Sequence, residues 1–206
     1  MVRPFRGISA AERLKQRKSA LLDAGLSVVA EHGLAGATIE AVTAQAGLSK
    51  RYFYEHFRTR DELFVALTER LVAQVTDAVM AGVADHRADL SERLRDAFTG
   101  VVEILTDDPR NARLYVEVVG SGPLKDIVGR AEHTLAELLV DALLADVDAT
   151  ARDRVRLGTA TLVIVVGIAQ AVSDWLDGGI GLSRDELIAE IATMSTAATR
   201  AIRPDL

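Results

Sequence analysis

Lys50, Arg51, Tyr52, Tyr54 and His56 fall within seven consecutive positions, interleaved with Phe53 and Phe57 and preceded by Leu48. Two cations, two phenols and an imidazole supply positive charge and hydrogen-bond donors close together. The interleaved apolar residues predict a short helix that buries one side and offers the other. That surface suits the major groove of duplex DNA, where phosphates attract cations and base edges present fixed donor and acceptor patterns. Taken singly the residues have plainer roles: His56 as a surface or packing residue, Tyr54 as a half-buried core residue. Their joint occurrence beside a local charge excess is what points to DNA.

Catalytic equipment is not visible. The histidines His32, His56, His86 and His133 are scattered without metal-ligand spacing, and there is no cysteine to act as nucleophile or thiolate ligand. Gly178, Gly179 and Gly181 follow a predicted helix, not a strand, so they are not a nucleotide-binding fingerprint. Asp107 and Asp108 fit solvated helix-end chemistry better than acid–base work. The expectation is a non-enzyme without cofactor or metal.

The elements that position the cluster are each signalled locally. Thr38 can cap a helix of about 39–46, with Ile39, Val42 and Ala46 on one face. Gly47 stands where a left-handed residue ends a helix cheaply. Leu48 plugs the corner, and Ser49 can cap a second helix of about 49–56 that turns Phe53 and Phe57 inward. Upstream, Ser9 to Glu12 has the capping-box pattern, Leu14, Leu21, Leu22, Val28 and Val29 form a helical stripe, and Gly33 ends it. Downstream, Thr59 to Glu62 is a second capping box, and Leu63, Leu67, Leu71, Val75 and Val79 recur every four residues. That predicts one long helix.

Charge divides the chain. Residues 1–60 hold ten Lys or Arg against five acids, a net of +5, while the whole chain is at −6, which leaves −11 on residues 61–206. A basic head on an acidic body presents one end to a polyanion. Arg3 and Arg6 read as a loose basic arm or as a solvated tail. The N-terminus lacks the apolar core of a signal peptide, and the lack of cysteine fits a reducing cytoplasm.

Beyond residue 80 the pattern stays helical. Helices of about 91–106, 109–119 and 124–145 are expected, with Pro109 in a first turn and a break at Gly120-Ser121-Gly122-Pro123. The segment 157–172, LGTATLVIVVGIAQAV, is about sixteen residues of apolar helix. A bilayer span needs about twenty, and Arg152, Arg154, Arg156 and Asp174 flank it, so no membrane role is expected. A helix apolar all round is covered on more than one side. Ser183 to Glu186 then caps a last helix with a stripe at Leu187, Ile191, Met194, Ala198 and Ile202. Leu162, Val166, Ala169, Leu187, Ile191, Met194 and Ala198 are the candidate interface of a homodimer built as a four-helix bundle. The alternative is that both helices close the core of one subunit.

The stretch GLAGATIEAVTAQAGLSKRYFYEHFRTRDELF, residues 33 to 64, resembles the DNA-binding segment of the tetracycline repressor (TetR) family of transcriptional regulators. The resemblance covers the first third by specific residues and the rest by length and helical layout. It implies an all-α fold of about nine helices: a three-helix helix–turn–helix domain over 1–60, and a helical ligand-binding and dimerisation domain over 61–206. It implies a homodimer on a palindromic double-stranded operator, released by a small-molecule effector, in the cytoplasm. Carried over position by position, Thr38, Tyr54 and His56 match residues that touch phosphate or brace the reading helix. Ser49 and Lys50 match the helix start, Arg51 and Tyr52 match base-facing positions, and Arg60 matches a backbone contact.

Two departures stand out. Arg51 replaces a common glycine and Thr43 a common alanine at a close helix contact. Phe98, Val102, Tyr115, Val119 and Trp175 are candidates for the ligand pocket, with ordinary core as the alternative. The competing functional class is a non-specific or architectural DNA-binding protein, which would share the basic head but not need the apolar body.

Overall fold

The computed structural model describes residues 9–85, 87–120, 124–145 and 148–204. Arg3, Arg6, His86 and the Ser121-Gly122-Pro123 break therefore lie outside the described residues. Among those described there are nine helices and no strand: α1 Ala10–Gly36, α2 Ile39–Gln45, α3 Lys50–Tyr54, α4 Arg60–Gly82, α5 Leu90–Asp107, α6 Pro109–Gly120, α7 Lys125–Leu143, α8 Ala151–Leu176 and α9 Arg184–Ile202. They form two compact units, Met1–Leu67 and Thr68–Leu206, so α4 contributes its first residues to one unit and the remainder to the other.

The first unit is built on α1. The Ser9 hydroxyl accepts from the Glu12 N–H at 3.1 Å, and Gly33, at φ 69°, interrupts the helix where the sequence predicts its end. Leu21, Leu26, Val29, Val42, Phe53 and Leu63 are all but fully buried together with Phe57. Leu63 and Leu67 pack over Gly25 of α1, which is why the unit extends to residue 67 and not to 60.

In the second unit α5 lies against α9, and α8 against α6, α7 and α9. Each of three helices opens on a reciprocal cap: Asp89 with Glu92, Thr150 with Asp153, Ser183 with Glu186. Where α4 meets α5, a Cβ on Gly82 would sit 2.2 Å from the Ala97 backbone nitrogen, so only glycine fits. The end of α4 is closed by a buried side chain: Arg93 Nε and Nη2 donate to the Val83 carbonyl at 3.0 and 2.7 Å. A cation at the negative end of a helix satisfies both its lone pairs and its dipole.

Two expectations need correction. The apolar run around 157–172 is part of a helix of 26 residues, long and apolar enough by length and composition to cross a bilayer. Its charged first turns belong to the helix; they do not flank it. Yet only 22 % of its most apolar eighteen-residue window is buried. The stripe on α9 does not act as one surface either. Leu187 and Ile191 are buried inside their own unit, whereas Met194 is 69 % exposed and Ala198 half-buried. On α8, Leu162 and Ala169 are half-buried, and Val155, Val163 and Val166 are exposed. The buried face of α9 is turned from this stripe, onto Ile188, Ala192, Ser195 and Thr199, so Leu187 and Ile191 fall at its edge and Met194 falls outside it.

Candidate functional site

The α2–turn–α3 segment takes its shape from short-range bonds. Thr38 Oγ1 accepts from the Ala41 N–H at 3.1 Å, capping α2 as expected. Thr43 is buried, and its hydroxyl donates back to the Ile39 and Glu40 carbonyls at 2.8 and 3.1 Å. That is how a hydroxyl fits a tight helix contact without an unpaired donor. Gly47 adopts φ 63°, the Leu48 N–H reaches the Thr43 carbonyl at 2.9 Å, and the Gly47 N–H reaches Ala44 at 3.1 Å. This pair of bonds is the Schellman ending, which reverses the chain within two residues. Ser49 is extended and its carbonyl accepts from the Tyr52 N–H at 2.9 Å, but its hydroxyl makes no cap bond, contrary to expectation. The hydroxyl is left to an outside partner.

Phe53 and Phe57 anchor α3 in the core, with ring centroids 5.6 Å apart, and Tyr54 meets Phe53 edge-on at 5.6 Å. What remains outside is polar. Arg51 has 85 % of its side chain exposed and lies 3.4 Å from Glu55. Lys50 forms an ion pair with Glu40, which raises the lysine pKa and lowers that of the glutamate. Both are solvent-exposed, so the pair is weak and readily exchanged for phosphate. Tyr54 is exposed and Tyr52 half-buried. The Arg17 guanidinium stacks 3.9 Å over the Tyr52 ring and reaches Glu55 at 3.6 Å, tying α1 to α3.

Two predicted contacts take bracing positions. His56 Nε2 is buried without a hydrogen-bond partner, and burial pushes the imidazole pKa down, with Glu55 opposing and Lys18 and Arg17 adding to it. Burial thus disfavours the charged ring, and Nε2 is turned to the interior. Arg60 donates to the Ala37 carbonyl at 3.3 Å, lies 3.6 Å from Asp61 and sits 5.2 Å over Phe64. It pins the start of α4 to the residue before the Thr38 cap of α2. Thr38, Ser49, Lys50, Arg51 and Tyr54 are therefore the exposed members of the predicted set. Sequence reasoning missed Arg17 and Glu40. Their partners lie 35 and 10 positions away respectively, beyond any helical spacing.

The second unit encloses a cavity of about 140 Å³. Phe98, Val102, Tyr115 and Val119 line it, as do residues of α4, α7, α8 and α9. Trp175 does not; its indole N–H donates to the Leu182 carbonyl at 2.8 Å, closing the turn after α8. Tyr115 is half-buried, its hydroxyl donates to the Ala169 carbonyl at 3.2 Å, and desolvation pushes its pKa well up. Glu132, which the sequence did not single out, is the one carboxylate on the cavity wall among the described residues. Among the described residues no group of three or more metal-ligating side chains comes together.

Comparison with known proteins agrees with this geometry. Residues 21–67 match the sequence profile of the bacterial regulatory proteins, tetR family. The HTH-type transcriptional activator FasR of Mycolicibacterium smegmatis is 29 % identical over 117 residues, 56 % of this chain and 53 % of that protein. The HTH-type transcriptional regulator CymR of Pseudomonas putida is 32 % identical over 98 residues, 48 % of each chain. The HTH-type transcriptional repressor DhaR of a Mycobacterium species is 24 % identical over 108 residues, 52 % of this chain and 54 % of that one. The match thus spans about half the length of these curated relatives. Among solved structures, a TetR-like transcriptional regulator of a Rhodococcus species superposes with a TM-score of 0.65 at 24 % identity, covering 90 % of this chain and 94 % of that one. One from Mesorhizobium loti reaches 0.70 at 17 % identity, covering 92 % and 98 %.

Proposed function

We propose that this chain, whose residues 21–67 match the bacterial regulatory proteins of the tetR family, is a cytoplasmic repressor of that family that binds a palindromic operator as a homodimer and is released by a small molecule. The observation that carries the reading is the α2–turn–α3 segment. Its Schellman turn and aromatic anchor present Ser49, Lys50, Arg51 and Tyr54 to solvent on a rigid base. Arg51 is the candidate for base recognition, since a guanidinium pairs bidentately with a guanine edge. Thr38, Lys50 and Tyr54 are assigned to phosphate, and Tyr52 to the shoulder of the same surface. His56 and Arg60 hold the reading helix in place.

Dimerisation is supported by the uncovered apolar face of α8 and α9, where Val155, Val163, Val166 and Met194 stand exposed. The cavity is the proposed effector site. Helix α4 is the proposed coupling element, because it carries residues of both units and lines the cavity with Leu71, Val75 and Val79. A ligand shifts the DNA-binding equilibrium only by its differential affinity for the two states.

The test is a mobility shift with DNA from the protein's chromosomal neighbourhood, at about 150 mM salt with excess competitor, where non-specific phosphate contacts weaken. A discrete complex on one short inverted repeat supports the reading. Equal binding to competitor, even after selection from random sequence, leaves only the non-specific or architectural alternative.

A further inference from the structure

The cavity has an unusual charge inventory. Among the described residues its wall is aliphatic apart from the Phe98 and Tyr115 rings, a few hydroxyls and one carboxylate, and no Lys, Arg, His or Asp lines it. Glu132 is the single acid. It also lines an outer groove, shared with Val119 and Val128, whose polar members include Lys125, Asp126 and His133. Glu132 thus stands where the interior meets the outside surface. Among the described residues it makes no hydrogen bond and no ion pair.

A half-buried carboxylate without a partner costs free energy, because apolar surroundings disfavour its charge. Desolvation accordingly raises the pKa of Glu132, against the opposing charges of His133 and Lys125. An anionic ligand would add a second negative charge beside Glu132, since the described cavity wall carries no cation and Lys125, Arg130 and His133 lie on the groove side. A neutral ligand would leave the carboxylate as it is. A cation relieves the cost and gains a charge-assisted contact. Two rings are too few for an aromatic cage, so the carboxylate must hold the charge. The Tyr115 hydroxyl is already engaged with Ala169.

We propose that the cavity takes a lipophilic cation: an aliphatic body in the apolar space and one ammonium head held by the Glu132 carboxylate. This rests on the reading of the cavity as a ligand site and adds to it the chemical class of the ligand.

Three probes of matched length decide it: octyltrimethylammonium, octanol and octanoate, titrated calorimetrically into the full chain and its Glu132→Gln and Ile168→Phe variants. The ammonium should bind most tightly and octanoate least. Glu132→Gln should weaken the ammonium about tenfold or more, the scale of a lost contact to a charged group, and leave octanol unchanged. Ile168→Phe, which fills the cavity, should weaken all probes; a cooperative melt confirms that each variant folds. Octanoate binding as well as the ammonium, or a Glu132→Gln variant indistinguishable from the parent, overturns the proposal while leaving the cavity a ligand site if Ile168→Phe still blocks it. No binding of any probe overturns both. Ammonium that binds through Glu132 but leaves the DNA complex intact supports the ligand class and counts against the release mechanism.

Discussion

The two units handle polar chemistry in opposite ways. The first spends its hydrophobic residues on an anchor and places its charges outside, where Arg51, Lys50 and Glu55 exchange partners with solvent at small cost. The second buries Arg93 against a backbone carbonyl and, among the described residues, sets a single charge on its cavity wall, the Glu132 carboxylate among aliphatic side chains. A recognition surface for a polyanion works with many weak contacts. A cavity for a small molecule works with few, each worth more because water is excluded.

The largest expected effect separates the units. Phe53→Ala empties the anchor of α3 and should cost about 3–5 kcal/mol, abolishing DNA binding. Trp175 is the only tryptophan and lies in the second unit, so its emission should still report a folded body. Loss of both signals together would mean that the units do not stand independently. Gly82→Ala is the reciprocal test: the Cβ collision with the Ala97 backbone should cost about 1–3 kcal/mol, read as an earlier denaturant midpoint of Trp175 emission.

Arg51→Ala comes next. If Arg51 reads a base, the change should remove about 1–3 kcal/mol of discrimination between operator and scrambled DNA. If it meets phosphate, both affinities should fall alike and the salt slope drop by about 1.

Acid should act on the body through its caps. Hydrogen bonds from Ser91, Thr150 and Ser183 hold Asp89, Asp153 and Glu186 below their ordinary pKa values. Carboxylates lowered in the folded state contribute stability above their unfolded values, lost as pH falls through the folded ones. Melting of the body should therefore be level near neutrality and fall below roughly pH 4, the ordinary carboxylate range. Ser183→Ala should remove about 1 kcal/mol at any pH above that. The smallest effect has the opposite sign. Glu132 is raised in the folded state, so its charge opposes folding at neutral pH, and Glu132→Gln should raise the ligand-free melting temperature slightly.

How far each region was legible follows from the range of its interactions. Thr38, Gly47 and Phe53 act on neighbours within five positions, and the structure realises each as the sequence predicts. Ser49 occupies its cap position without the bond, because local signals specify where a helix starts better than which rotamer its hydroxyl takes. Arg17 over Tyr52 was invisible because nothing local links them. The cavity is the extreme case. Phe98, Val102, Tyr115 and Val119 are apolar residues like any core, and only their assembly leaves space between them. Trp175 shows the converse: the largest side chain of the region closes a turn and does not line the cavity. Glu132 is one of several charges on α7, and only the assembled cavity wall distinguishes it.

The Arg93 bond to the Val83 carbonyl has a mechanical consequence. It stops the last turn of α4 from fraying. A helix end held by a side chain of the next helix keeps Leu71, Val75 and Val79 in fixed register on the cavity wall.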